Sequence, residues 1–179
     1  MASESVATEL RLSHALLRPW CTADAESLAQ HANDREIWRN MRDRFPHPYT
    51  LRDAKEWLAF IAGVPEGTTF AIEVEGAAVG GISFEPLADV FRVGAEVGYW
   101  LARPWWGRGI STEAVRAVTD QLFTHFDFLR AQASVFSWNP ASARVLEKAG
   151  YTLEATNRRS MIKEGVVGDR WLYVKLREP

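Results

Sequence analysis

Three segments follow one another without a spacer between Val93 and Phe126, and they restrict the fold more than any other part of the sequence. Val93 to Leu101 alternates with a period of two. Val93, Ala95, Val97, Tyr99 and Leu101 share one side of a strand, and Gly94, Glu96, Gly98 and Trp100 share the other. Two glycines on one face mark a bulge or a close approach by ligand or backbone. The chain then turns through Gly107-Arg-Gly109, after which Val115, Val118, Leu122 and Phe126 recur at helical spacing.

The rest of the chain alternates in the same manner. Leu10 to Pro19 reads as a first or edge strand, and Thr22 and Asp24 as N-caps of a helix running to about His31. A short helix carries Ile37, Trp38 and Met41, while Pro46 and Pro48 keep Phe45 to Tyr49 out of any helix. Thr50 and Asp53 cap a helix with Ala54, Trp57, Leu58 and Ile61 on one face. Phe70–Val74 and Ala78–Phe84 flank a Glu75-Gly76 turn and form a hairpin. Ala131 to Phe136 is a further strand, and Asn139-Pro140 opens a helix that closes at Gly150. Tyr151–Thr156 and Arg170–Leu176 supply the last two strands, with Gly165 to Gly168 in their connection. Without repeats or linkers, residues 1–179 are expected to be one mixed α/β domain.

Composition removes several function classes. A net charge of -2 speaks against general nucleic-acid binding. The single cysteine, Cys21, allows no intrachain disulfide and fits a reducing, cytoplasmic compartment. No apolar run is long enough to span a membrane, and no signal-peptide pattern opens the sequence. The four histidines are scattered without cysteine partners, so no metal is expected.

A strand, a glycine turn and a helix start suit a pyrophosphate. Glycine lets the backbone approach the anion, and the first helical amides and the helix dipole face it. The competing reading is a tight strand–helix turn capped by Ser111 or Thr112. A P-loop is absent, and Thr112 stands where a dinucleotide fingerprint needs its third glycine.

Glu96-Val-Gly-Tyr-Trp-Leu101 followed by Trp106-Gly-Arg-Gly-Ile-Ser-Thr-Glu-Ala114 resembles motif A of the GNAT superfamily of N-acetyltransferases. Asn139-Pro-Ala-Ser142 with Val145-Leu-Glu-Lys-Ala-Gly-Tyr151 resembles its motif B. Leu17-Arg-Pro19 with Asp24-Ala25, and Pro48-Tyr-Thr50 with Asp53-Ala54, are similar to the RimJ/RimL branch, whose members acetylate protein N-termini or small amines.

The resemblance implies a mixed sheet of about seven strands and about four helices, with two parallel strands splayed at a bulge. Acetyl-CoA would enter the splay, its pantetheine beside Trp100 and Leu101 and its pyrophosphate on Trp106, Gly107, Arg108, Gly109, Ile110 and Ser111. Asn139, Ser142 and Arg144 complete the implied cofactor contacts. Trp106 departs from the Gln or Arg that most of the superfamily has there, and Ser111 replaces the usual Gly or Ala. The acceptor, a peptide N-terminus or a small-molecule amine, would meet Trp38, Arg42, His47 and Tyr49. A homodimer is a family-level expectation.

Acetyl transfer to an amine needs a base for the ammonium proton, a donor for the oxyanion and an acid for the leaving thiolate. Glu96 is the candidate base, directly or through water; the alternative is a surface carboxylate or structural ion pair. The resemblance puts the oxyanion donor around Val97 to Tyr99. Leu146 occupies the slot where the superfamily often has an acidic tyrosine, so Ser142 is the candidate acid, against a helix-start serine bonded to backbone. Three rivals stay open: a non-catalytic CoA sensor, transfer of another acyl group such as succinyl, and a nucleotide-binding protein using the glycine turn.

Overall fold

The computed structural model describes residues 8–178. In chain order the elements are β1 (Leu10–Arg11), β2 (Leu16–Arg18), α1 (Ala25–Ala32), α2 (Arg35–Trp38), α3 (Leu51–Ile61), β3 (Thr69–Val74), β4 (Ala77–Pro86), β5 (Gly94–Leu101), α4 (Ile110–His125), β6 (Arg130–Phe136), α5 (Pro140–Lys148), β7 (Thr152–Lys163) and β8 (Val166–Leu176). The eight strands form one mixed sheet in the order β1-β2-β3-β4-β5-β6-β8-β7. Every neighbouring pair is antiparallel except β5 with β6.

One strand more than the resemblance implied arises at the start. The Leu12 N–H donates to the Ala15 carbonyl at 2.9 Å, which reverses the chain and splits the expected Leu10–Pro19 strand into a small hairpin. Asp24 is also not a simple N-cap. Its carboxylate is buried, held by two Arg18 bonds of 2.8 Å and by the Cys21 N–H at 2.9 Å, and so ties β2 to the start of α1. The Thr50 cap forms as the sequence implies: Thr50 Oγ1 accepts the Asp53 N–H at 3.3 Å, and Asp53 accepts the Thr50 N–H at 2.8 Å. Such a cap is worth about 1 kcal/mol.

The alternation in β5 sorts the two cores. Ala95, Val97 and Leu101 are buried with Ile110, Ala114, Val115, Val118 and Leu122 of α4. Trp100 packs on the other side, against a smaller core made by Ala25, Leu28 and Ala32 of α1 and Ala54 and Leu58 of α3. Val93, read as part of the inward row, precedes the strand and is 50% exposed.

β5 keeps unbroken register with β4 from Pro86↔Ala95 to Gly80↔Leu101, so the expected bulge does not appear there as a register shift. The parting lies on the other side. β5 and β6 pair over only Gly94↔Arg130, Ala95↔Ala131 and Glu96↔Gln132, and then separate.

At the far edge, β7 and β8 form a hairpin much longer than the sequence suggested. The connection is not Gly165 to Gly168, since Val166 already begins β8. Glu164 and Gly165 turn with φ of 51° and 77°, nearly the geometry of Glu75 and Gly76 at 53° and 81°. Among the described residues no helix is long and apolar enough to cross a membrane.

Candidate active site

The gap between β5 and β6 has a polar edge. The Ala102 N–H donates to the Val79 carbonyl at 2.8 Å, so by strand alternation Trp100, Gly98 and Glu96 also turn their backbone groups to β4. Val97, Tyr99 and Leu101 therefore turn theirs toward β6; the Val97 N–H is taken up by the Glu96↔Gln132 pair, and Tyr99 and Leu101 face the gap. Of the two residues expected to offer a pairing edge, Leu101 does so and Trp100 does not; Trp100 is occupied with β4 and its ring lies 5.9 Å from that of Phe45. The Leu101 carbonyl is capped by Trp106 Nε1 at 2.6 Å, which anchors the half-exposed indole at the end of this edge.

The turn that follows is open and unspent. Gly107 and Gly109 have φ of 75° and 81°, a region that favours glycine, and a Cβ on either would meet nothing within 4 Å. Among the described residues, none accepts a hydrogen bond from the amides of Gly107 to Ser111. These amides stand at the start of the 16-residue helix α4, an arrangement whose dipole and free N–H groups suit an anion. The Ile110 side chain is 3% exposed and belongs to the core, so that residue can offer only its amide. Arg108 and Arg144 are exposed.

Glu96 and Ser142 approach the gap from opposite faces of the sheet. Glu96 lies on the α1–α3 side, where its Oε1 accepts from Arg42 Nη2 at 2.6 Å. The two side chains are 21% and 53% exposed, and an ion pair this open to water is worth under about 1 kcal/mol, so a cationic ligand can displace Arg42. Ser142 lies on the α4–α5 side, in the first turn of α5. Its N–H donates to Asn139 Oδ1 at 3.2 Å, and its Oγ is 2.8 Å from the Tyr99 hydroxyl. Burial pushes the Tyr99 phenol well above its ordinary range, so it is a neutral hydrogen-bonding group. Leu146 is fully buried.

Three of the four residues expected on the acceptor side come together. Trp38 stacks on His47 at 5.4 Å, and Arg42 reaches Glu96 from the loop between them. Tyr49 departs from the expectation: it is 5% exposed, packs 4.9 Å from Phe45 in the smaller core, and burial pushes its phenol up to about 12.

Lys163, which the sequence reading missed, completes this wall. Its ammonium lies 4.0 Å from the centre of the Trp38 ring and 2.8 Å from Asp43 Oδ1. The neighbouring Glu164 accepts from Arg35 at 2.7 Å, so the hairpin tip is fastened to the α2 region twice. The signal was the Glu164-Gly165 dipeptide, chemically the same turn as Glu75-Gly76.

The acetyltransferase (GNAT) domain family matches residues 14–152. Over 75 residues, 42% of this chain, the sequence is 43% identical to the Probable N-acetyltransferase YjcK of Bacillus subtilis (strain 168), and that stretch spans 41% of YjcK. It is 29% identical over 147 residues to the SPbeta prophage-derived uncharacterized N-acetyltransferase YokL of the same strain, covering 81% of each chain. The fold is shared with Mycobacterium smegmatis RimJ in complex with CoA-disulfide, at a TM-score of 0.80 and 24% identity over 90% of this chain and 81% of that one. With this match across most of its length, the chain belongs to the GNAT acetyltransferase family.

Proposed function

We propose that this protein is an acetyl-CoA-dependent N-acetyltransferase acting on a primary amine, either a peptide N-terminus or a small molecule. The observation that carries the reading is the parting of β5 from β6, with the backbone of Tyr99 directed into it, and at its end the amides of Gly107 to Ser111, for which no described residue is an acceptor.

The residues present fit a CoA-type group, because the turn is open to solvent and holds amides without protein acceptors. When bound, acetyl-CoA supplies an acetyl group activated as a thioester. The amides of Gly107 to Ser111 hold the anionic end. The N–H of Tyr99, the first turned to the gap beyond the last β5–β6 pair, stabilises negative charge developing there. Glu96 takes the proton of the acceptor ammonium, directly or through water, once the ammonium has replaced Arg42. The Tyr99 hydroxyl, 2.8 Å from Ser142 Oγ with either able to donate and 3.2 Å from the Ser142 carbonyl, positions the serine, whose O–H supplies a proton to the leaving sulfur when Tyr99 is the donor between them.

Calorimetric titration with acetyl-CoA, with ATP and NAD as controls, tests the reading. One-site binding of acetyl-CoA, followed by CoA-thiol release with peptide or amine acceptors, is the expected result. No binding at millimolar acetyl-CoA removes the proposal. A series of acyl donors, succinyl-CoA included, then fixes the transferred group.

A further inference from the structure

We infer that Arg170 is the anion-recognition residue of the acceptor groove, so that the acceptor carries a carboxylate or phosphate a few residues' reach from its amine. This deepens the acetyl-transfer reading and rests on it.

Sheet register places Arg170. Glu96 pairs with Gln132, and Gln132, Ser134 and Phe136 share a face of β6, opposite the buried Ala131, Ala133 and Val135. Arg170 pairs with Phe136, whereas its neighbour Trp171 pairs with Val135, so Arg170 lies on the Glu96 side of the sheet. The helices seated on that side, α1 and α3, pack over the β4 half. The β6–β8 half is bordered instead by the Trp38–His47 segment, through its contacts with Lys163.

Burial and pairing set Arg170 apart. Among the described residues three arginines are neither exposed nor fully buried: Arg18, Arg130 and Arg170. Arg18 is paired with Asp24 and Glu73, and Arg130 with Glu154. Arg170 has no carboxylate partner among the described residues. It is held by Asn157, whose Oδ1, with the amide turned toward the guanidinium, accepts from Nη2 at 2.6 Å and from Nε at 3.3 Å. One oxygen on the Nε–Nη2 side leaves the Nη1–Nη2 end free. That fork matches the two oxygens of a carboxylate or phosphate, and a half-buried guanidinium without an anion is incompletely satisfied.

The spacing fixes what can bridge the groove. Gln132 and Phe136, the partners of Glu96 and Arg170, are four residues apart on β6, roughly 13 Å at strand rise. β5 and β8 lie about 9.6 Å apart across β6, so the two backbones are roughly 16 Å apart and the long arginine side chain spans part of that distance. An extended peptide advances about 3.4 Å per residue. With its amine at Glu96, such a peptide brings an acidic side chain at its third or fourth position to Arg170. The groove is then complementary at both ends, carboxylate for the ammonium and guanidinium for the anion.

The test uses the full-length protein, acetyl-CoA and six-residue peptides with free N-termini. Each carries Gln, Glu or phosphoserine at one position from two to five. Glu or phosphoserine at position three or four should raise kcat/KM about tenfold over Gln, the worth of a charge-assisted pair. The Glu and phosphoserine arms separate carboxylate from phosphate recognition. Arg170→Gln should erase the preference while leaving acetyl-CoA affinity unchanged, and Arg170→Lys should retain part of it. Asn157→Ala, which frees the guanidinium to wander, should weaken it. Equal kcat/KM for acidic and neutral peptides, or an equal loss on all peptides in Arg170→Gln, overturns the inference. If no peptide turns over, calorimetry with the N-acetylated peptides decides without turnover: binding that does not favour the acidic peptide, or is absent, overturns it. Titration of acetyl-CoA into the wild-type protein judges the transfer reading separately.

Discussion

The turn at Gly107 to Ser111 and the wall formed by Trp38, Arg42, His47 and Lys163 border the same gap but are built by different means. The turn is local in sequence and offers backbone: two left-handed glycines and a run of amides that no described residue accepts from. The wall offers side chains drawn from segments more than a hundred residues apart, joined by contacts such as Lys163 to Asp43. The first kind of site changes little when surface side chains change. The second can be retuned one residue at a time. This division suits an enzyme whose cosubstrate is fixed and whose acceptor is a matter of specificity.

Glu96 of β5 is paired with Arg42 of the wall, and its replacement should give the largest effect. Glu96→Gln removes the proton acceptor while keeping the shape and a hydrogen-bonding oxygen for Arg42. Turnover should fall by about a hundredfold or more, the usual loss for a general base, with acetyl-CoA affinity unchanged. Steady-state kinetics beside calorimetry checks this. Unchanged turnover would show that Glu96 is only the ion-pair partner of Arg42.

Gly109→Ala probes the backbone part. At φ of 81° an alanine costs about 1 kcal/mol of strain, so thermal unfolding should fall by about 2 to 4 °C. The larger result should be on acetyl-CoA affinity, expected to drop about tenfold as the amides lose their alignment, worth roughly one charge-assisted hydrogen bond. Acceptor KM should not move. An acceptor-side defect with normal acetyl-CoA binding would break the division between the two parts.

The same division explains what could be read from the sequence. Strand alternation, the glycine turn, the Thr50 capping box and the Asn139 cap are local patterns, and each forms where its residues stand. Thr22 and Asp24 misled, because the Asp24 carboxylate answers to Arg18 of β2 and not to the helix it precedes. Tyr49 misled in the same way, since its aromatic neighbours in the fold make it a core residue. Lys163 and Arg170 were invisible for a different reason. Their roles depend on the length and register of the β7–β8 hairpin, and Gly168, taken for part of a loop, is a strand residue whose missing Cβ makes room for the Trp138 ring.

The smallest effect, and the sharpest test of the side-chain part, lies in the Lys163–Asp43 pair. The pair is asymmetric: Lys163 is 3% exposed and Asp43 is 80% exposed. Lys163→Met keeps an apolar stem against Trp38 and leaves a carboxylate that water already solvates, so stability should change by under about 1 kcal/mol. Asp43→Ala leaves a buried ammonium with the Trp38 ring as its remaining partner, and should cost more than Lys163→Met. In both variants the Trp38–His47 segment loses its Asp43–Lys163 ion pair to the hairpin, so acceptor KM should rise about threefold, the loss of a weak ion pair, with acetyl-CoA affinity constant. Chemical denaturation and paired KM measurements check this order. If Asp43→Ala proves the milder change, water reaches Lys163 and the wall is not a closed unit. If acetyl-CoA affinity moves with acceptor KM, the turn and the wall are mechanically coupled, and their independence fails.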